Sequence, residues 1–236
     1  MSAVFDAAEQ LTGTGPTISN GQWLVSAVYV KLPASLTGWG SVNYLLRFTS
    51  ASHQLSITNN ASPIFRIRHN YGSEATVGSL SITQSSWILL VAKAGPNDGT
   101  ATVFENFVGG TSTGSGDPGN STAFTGDNSA ESMASIQLGS TAGSTDIPNG
   151  RLAEPCIFSA ADETEANAIV DALLAGDDPS GITDGTLLWH RDLESDGTTG
   201  TGTGDLSGTG VSFDSGDHPS FSSPPAASSG GHILII

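Results

Sequence analysis

Only one stretch of this sequence carries the marks of an α-helix, and that scarcity limits the folds open to the chain. Residues 149–176 read NGRLAEPCIFSAADETEANAIVDALLAG. Asp162 and Glu165 form a capping box, in which the Asp carboxylate accepts from a first-turn N–H and the Glu reaches back. Ala166, Ile169, Val170, Leu173 and Leu174 follow the spacing that lines one helical face. Gly176 sits where a left-handed cap belongs, and Pro179 blocks continuation. Just upstream, residues 152–158 are apolar enough for a strand, with Pro155 demanding an edge or a bulge.

Nearly everything else reads as strand or loop. Strand-like runs fall at residues 3–5, 23–32, 42–49, 55–58, 64–69, 77–82, 87–94, 101–108, 136–139, 186–193 and 211–213. The run 23–32 is apolar on both faces, which predicts a central strand covered twice. Alternation in 42–49 predicts Tyr44, Leu46 and Phe48 on one face and Leu45 on the other. Asn97-Asp98-Gly99 is a hairpin turn signal. Residues 6–20, 109–120 and 195–210 read as turns and Gly/Ser/Thr-rich loops.

The chain has 236 residues, enough to bury a large core without cross-links. It has one cysteine, Cys156, so no intrachain disulfide can form; the residue reads as a small buried apolar group. The formal net charge is −16, and of seven Lys and Arg only Arg151 and Arg191 follow residue 110. Such a chain repels phosphate backbones and anionic membranes. Residues 1–10 lack the basic and apolar segments of an export signal. No apolar run reaches the length of a membrane span. The expectation is synthesis in a cytoplasm, without nucleic-acid or membrane partners.

Several residues bear on chemistry. Asp192-Leu-Glu194-Ser-Asp196 alternates carboxylates as retaining glycoside hydrolases do, because alternate residues share a strand face. The residue order is wrong for that chemistry, and Asp196-Gly197 signals a turn. Gly110-Thr-Ser112-Thr-Gly114 matches a nucleophile elbow but opens a loop, where the elbow needs a strand before and a helix after. The five histidines are scattered without metal-ligand spacing and read as packing or surface residues. No catalytic residue is assigned. Calcium is the one ion suited to the loop carboxylates Asp127, Asp146, Asp177, Asp178, Asp184 and Asp196. Trp39 and then Tyr71 are the candidate sugar-stacking aromatics. Ile233, Leu234, Ile235 and Ile236 form an apolar tip that would aggregate if bare, so docking on the chain's own body or on a neighbouring subunit is expected.

The order of pieces resembles the laminin-G-like, concanavalin-A-like jelly rolls. Trp87-Ile-Leu-Leu-Val-Ala-Lys93, a Gly turn and Thr102-Val-Phe-Glu-Asn106 resemble one hairpin of that fold. Ile136-Gln-Leu-Gly139, Asn149-Gly-Arg-Leu-Ala-Glu154, Ile157-Phe158 and the capped helix resemble its next segment, and Leu187-Leu-Trp189 its closing strands. The resemblance implies an all-β, antiparallel β-sandwich jelly roll with one short helix over residues 1–220, and an extended C-terminal arm over 221–236. It implies Trp87 and Trp189 in the core, Gly150 at the turn and Glu154 as a strand-end acceptor. The variant is similar to domains encoded by tailed bacteriophages. That similarity implies a non-enzymatic virion protein, either a capsid decoration or a tail/fibre adhesion module. Such a protein would act through contacts with itself and other virion proteins as a homo-oligomer. A carbohydrate-binding lectin-like module is the alternative, and a glycoside hydrolase the third reading.

Overall fold

The computed structural model describes residues 2–5, 10–19, 21–36, 42–48, 54–59, 63–68, 84–95, 101–109, 117–118, 122–125, 135–139, 149–193, 198–202, 205–208, 211–214 and 216–221. The strands are β1 (Ser2–Phe5), β2 (Gln10–Gly13), β3 (Trp23–Lys31), β4 (Val42–Phe48), β5 (Gln54–Asn59), β6 (Pro63–Arg68), β7 (Trp87–Gly95), β8 (Ala101–Gly109), β9 (Asp117–Pro118), β10 (Thr122–Thr125), β11 (Ile136–Gly139), β12 (Gly150–Ala160), β13 (Thr186–Arg191), β14 (Gly200–Thr201) and β15 (Ser212–Asp214). The helix α1 (Glu163–Ala175) follows β12, and a short 3-10 turn (Pro179–Gly181) follows the helix.

These strands form two antiparallel sheets. The larger runs β10-β8-β7-β3-β12-β1-β15, with β13 and β14 continuing beside β12 and β9 beside β8. The smaller runs β2-β11-β4-β5-β6. Alternation along β3 explains the layering. Leu24, Val28 and Val30 face the smaller sheet and meet Leu11, Leu45, Leu46, Ile136 and Leu138 in one interior. Trp23, Val25, Ala27 and Tyr29 face the other way, toward Ile169, Val170 and Leu173 of α1. Both faces of β3 are therefore covered, as its sequence requires. Each fully buried aliphatic side chain of that kind contributes about 1.5–3 kcal/mol.

The helix forms where its caps place it. Asp162 is extended and accepts from Glu165 N, and Gly176 ends the helix at φ 87°. The Glu165 carboxylate reaches Ala161 N at 2.6 Å, completing the box. Lys93 of β7 is buried beneath the helix, 2.7 Å from Asn167 Oδ1 and 3.3 Å from Glu163 Oε1, with its ammonium over the Trp23 ring. Among the described residues, no helix is long and apolar enough to cross a membrane.

Four sequence expectations change. Residues 10–13 are a strand rather than turns, because β2 pairs with β11 through its backbone and needs little apolar content. Leu45 and Leu46 both lie in the interior, because a register shift between Tyr44 and Leu46 inserts an extra residue and re-aims the side chains. Within the Gly-rich loop 109–120, β9 pairs with Phe107 and Val108 of β8. The turn before β12 is made by Asn149, at φ 59°, while Gly150 already pairs with Phe5.

Trp189 is fully buried between the sheets. Beside it, Arg191 is 1% exposed and donates to the carbonyls of His190, Thr201 and Gly202 at 2.6–3.2 Å. Burial pushes the Arg191 guanidinium below its usual value, opposed by Asp205 and Asp192. These bonds fasten a crossing segment: Gly200–Thr201 pairs with β13, and Ser207 then bonds Thr12 of the other sheet at 2.8 and 2.9 Å.

Candidate functional site: a bulge beneath a C-terminal strap

Pro155 lacks an N–H, so it cannot take an ordinary place inside a central strand. The chain accommodates it with a bulge. Ala153 pairs with Tyr29 and Cys156 with Ala27, leaving Glu154 and Pro155 together opposite Val28. Glu154 takes φ 50°, the left-handed region that non-glycine residues enter at a cost. The resemblance expected this carboxylate at a strand end; it lies inside β12 instead, and it is 4% exposed.

A buried carboxylate must be hydrogen-bonded or paired. His190, opposite Cys156 on the helix-bearing face, places Nε2 2.5 Å from Glu154 Oε2. His218 places Nε2 2.8 Å from Oε1. That second approach makes no hydrogen bond. The other ring nitrogen of His218, Nδ1, donates to Pro219 O at 2.8 Å. Burial pushes both the Tyr29 phenol and the Cys156 thiol far above their ordinary values; the Glu154 charge adds to both. Cys156 is thus an inert packing residue, as its composition context predicts.

His218 belongs to a strap, residues 211–214 and 216–221, that runs from the sheet edge onto the helix-bearing face. β15 pairs with β1 at the sheet edge. Asp214 then binds Arg151 at 2.5 Å. Asp217 accepts from Lys31 Nζ at 2.8 and 3.1 Å and from Trp87 Nε1 at 2.8 Å. Phe221 packs edge-on against Tyr29, ring centres 5.6 Å apart. Trp87, expected in the core, is only partly buried; its indole N–H serves the strap.

Burial works to raise the Asp217 carboxyl, but the bonds from Lys31 and Trp87 and the charges of Lys31 and Arg151 outweigh it and hold it below the ordinary carboxylate range. A carboxyl depressed on folding adds stability that is complete above its unfolded value and is lost as pH falls through its folded value. Acid titration should therefore loosen the strap below the usual carboxylate range. Asp217→Asn should weaken that dependence, leaving the share that Asp214 carries through Arg151, at a cost of about 1 kcal/mol at neutral pH. Urea midpoints measured from neutral to strongly acidic pH would show this, and identical acid profiles for the two proteins would refute it.

The sequence-level candidates fall in different places. Trp39, Tyr71, Asp127, Asp146, Glu194, Asp196, Ile233, Leu234, Ile235 and Ile236 lie outside the described residues. Asp178 caps the 3-10 turn, accepting from Ser180 N at 2.8 Å. The Asp177 N–H bonds Ala172 O at 3.1 Å, extending the helix cap. Asp184 is exposed in the bend before β13. Among the described residues, no three His, Cys, Asp or Glu side chains are arranged to hold a metal ion. β13 ends at Arg191, so Asp192 leaves the strand that paired hydrolytic carboxylates would need.

Sequence reasoning missed the convergence of His190 and His218 on Glu154. The three positions share no local spacing. The single usable signal was Pro155, which marks a bulge and so a re-aimed neighbour.

No family model matches the sequence, and comparison with curated proteins finds no match. Solved structures do match. A putative carbohydrate binding protein from Bacteroides ovatus ATCC 8483 aligns over 89% of this chain with a TM-score of 0.59 at 12% identity. The fold is a concanavalin-A-like jelly roll. The chain spans 58% of the Bacteroides protein's length. A heptameric SAP-like pentraxin from Limulus polyphemus aligns over 66% of this chain and 74% of its own, with a TM-score of 0.46 at 13% identity.

Proposed function

We propose that the chain is a non-catalytic, lectin-like module that binds carbohydrate. The observation that supports this most is the correspondence of its sandwich, over 89% of the chain, with that of the putative carbohydrate binding protein from Bacteroides ovatus. The charge of −16 fits a neutral, hydroxyl-rich ligand better than an anionic one. Trp39 and Tyr71 are the stacking aromatics of this reading. A glycan array should give binding that Trp39→Ala or Tyr71→Ala weakens at least several-fold. A blank array would overturn the proposal, and release of reducing sugar would overturn its non-catalytic part.

A second reading is a bacteriophage virion component, a capsid decoration or tail/fibre module, that assembles through contacts with itself and its neighbours. The apolar run Ile233, Leu234, Ile235 and Ile236 favours it, because such a run is suited to burial against protein. Mass spectrometry of purified particles should then detect the chain. Deleting residues 222–236 should lower its oligomeric state. Particles lacking the chain, with assembly unchanged by the deletion, would dispose of this reading.

A further inference from the structure

We propose that the outer face of the smaller sheet is a sugar-binding surface that takes a glycan bearing carboxylates, held by Arg47, Arg66 and Arg68; this rests on the carbohydrate-binding reading and narrows its ligand. Leu11, Leu45, Leu46, Ile136 and Leu138 lie in the interior between the sheets. Alternation therefore puts their chain neighbours Thr12, Arg47 and Gln137 on the face turned away from it. Register carries that row across the whole sheet. Thr12 pairs with Gln137, Gln137 with Arg47, Arg47 with Gln54 and Gln54 with Arg68.

The bulge on β4 supplies a second row. Regular alternation would put Tyr44 on the interior face with Leu46. The register shift between them turns Leu45 and Leu46 inward together, so Tyr44 passes to the outer face. There it pairs with Ser56, which pairs in turn with Arg66. Positions 66 and 68 stand about 7 Å apart along β6, and position 47 lies two strands, about 10 Å, from position 68. One face thus gathers three arginines, an aromatic residue and a line of amide and hydroxyl residues.

Charge selects the occupant. The chain has 23 Asp and Glu against seven Lys and Arg. Four of those seven are committed within the fold: Lys31 to Asp217, Lys93 to Glu163, Arg151 to Asp214 and Arg191 to backbone carbonyls. The other three all fall on this face, and the five strands of its sheet contain no Asp or Glu. The net charge of −16 turns anions away from the surface at large. Charges more than about 8 Å away are largely screened at physiological salt, so the arginines nearest the ligand decide. A guanidinium presents a planar fork that matches a carboxylate through two parallel bonds. Amides and hydroxyls suit sugar hydroxyls, and a tyrosine ring suits the apolar face of a sugar. A chain of uronic acids combines all three features, whereas a neutral glycan would leave the arginine charge without a counterpart.

The test is calorimetric binding of the intact chain to soluble polymers of galacturonic, glucuronic and mannuronic acid, each beside its methyl ester. Polyglutamate and a panel of neutral glycans are the further arms. We expect at least one polyuronate to bind, its uncharged methyl ester to bind about tenfold more weakly, and added salt to weaken the acid form. Arg47→Gln, Arg66→Gln, Arg68→Gln and Tyr44→Ala should each lower the affinity several-fold. Arg66→Lys should restore only part of it, because an ammonium keeps the charge and loses the fork. Binding to neutral glycans alone would overturn the proposal and leave the carbohydrate-binding reading standing, while a chain that binds no glycan would overturn both. Equal binding of polyglutamate would overturn a sugar as the occupant. Arginine variants that fold and bind polyuronate as the parent does would remove the face from the site. If those variants do not fold, each polyuronate against its methyl ester on the unaltered chain decides.

Discussion

Replacing Trp189 with alanine is expected to lower stability by about 3–5 kcal/mol. The side chain is fully buried and joins the interior shared by both sheets, beside Ile157, Leu193 and Leu206. Truncation removes the apolar contact and leaves a void between two layers that are each held by their own ladders, so neither can collapse into it. Against a total of about 5–15 kcal/mol for a domain, that loss is a large fraction. The urea midpoint should fall sharply while the slope stays constant. Trp189→Phe, which keeps most of the volume, should cost far less. A loss below about 1 kcal/mol for the alanine variant would mean that the indole is not sealed between the sheets.

Arg191→Ala carries the second large effect, about 3 kcal/mol or more, by a different route. The guanidinium serves the carbonyls of His190, Thr201 and Gly202 at once. Removing it strands those acceptors and unfastens the segment that passes from one sheet to the other. Lysine should not rescue it, because one ammonium cannot reproduce the planar fork. Gly200 constrains the same region: a Cβ there would stand 2.1 Å from His190 O. Limited proteolysis gives the local readout, since cleavage after residue 197 should rise well before global unfolding. An Arg191→Lys chain as resistant and as stable as the parent would show that the fork is dispensable. Because the Arg191 guanidinium stacks 5.3 Å from the Trp189 ring, the double variant should lose less than the two single losses combined.

What could be read from the residues alone divides along the range of the interactions. The helix was legible to the residue, because Asp162, Glu165 and Gly176 act within a turn of where they stand. The central place of β3 was legible because its apolar residues fill both faces. Strand β2 was hidden because an edge strand can be specified by backbone pairing. The inward turn of both Leu45 and Leu46 was hidden because a one-residue bulge overrides alternation. The convergence of Glu154, His190 and His218 was least visible of all. It depends on β12, β13 and the strap meeting in space, and only Pro155 hinted that something irregular happened there.

The pairing of β1 on both sides has a consequence for how the chain is made. Ala3 meets Leu152 on one side and Phe213 on the other. During vectorial synthesis β1 waits through about 150 further residues for one neighbour and about 210 for the second. Contacts so distant in sequence are slow to close. Nascent chains halted before β12 would present β1 as a bare edge, open to the wrong partner.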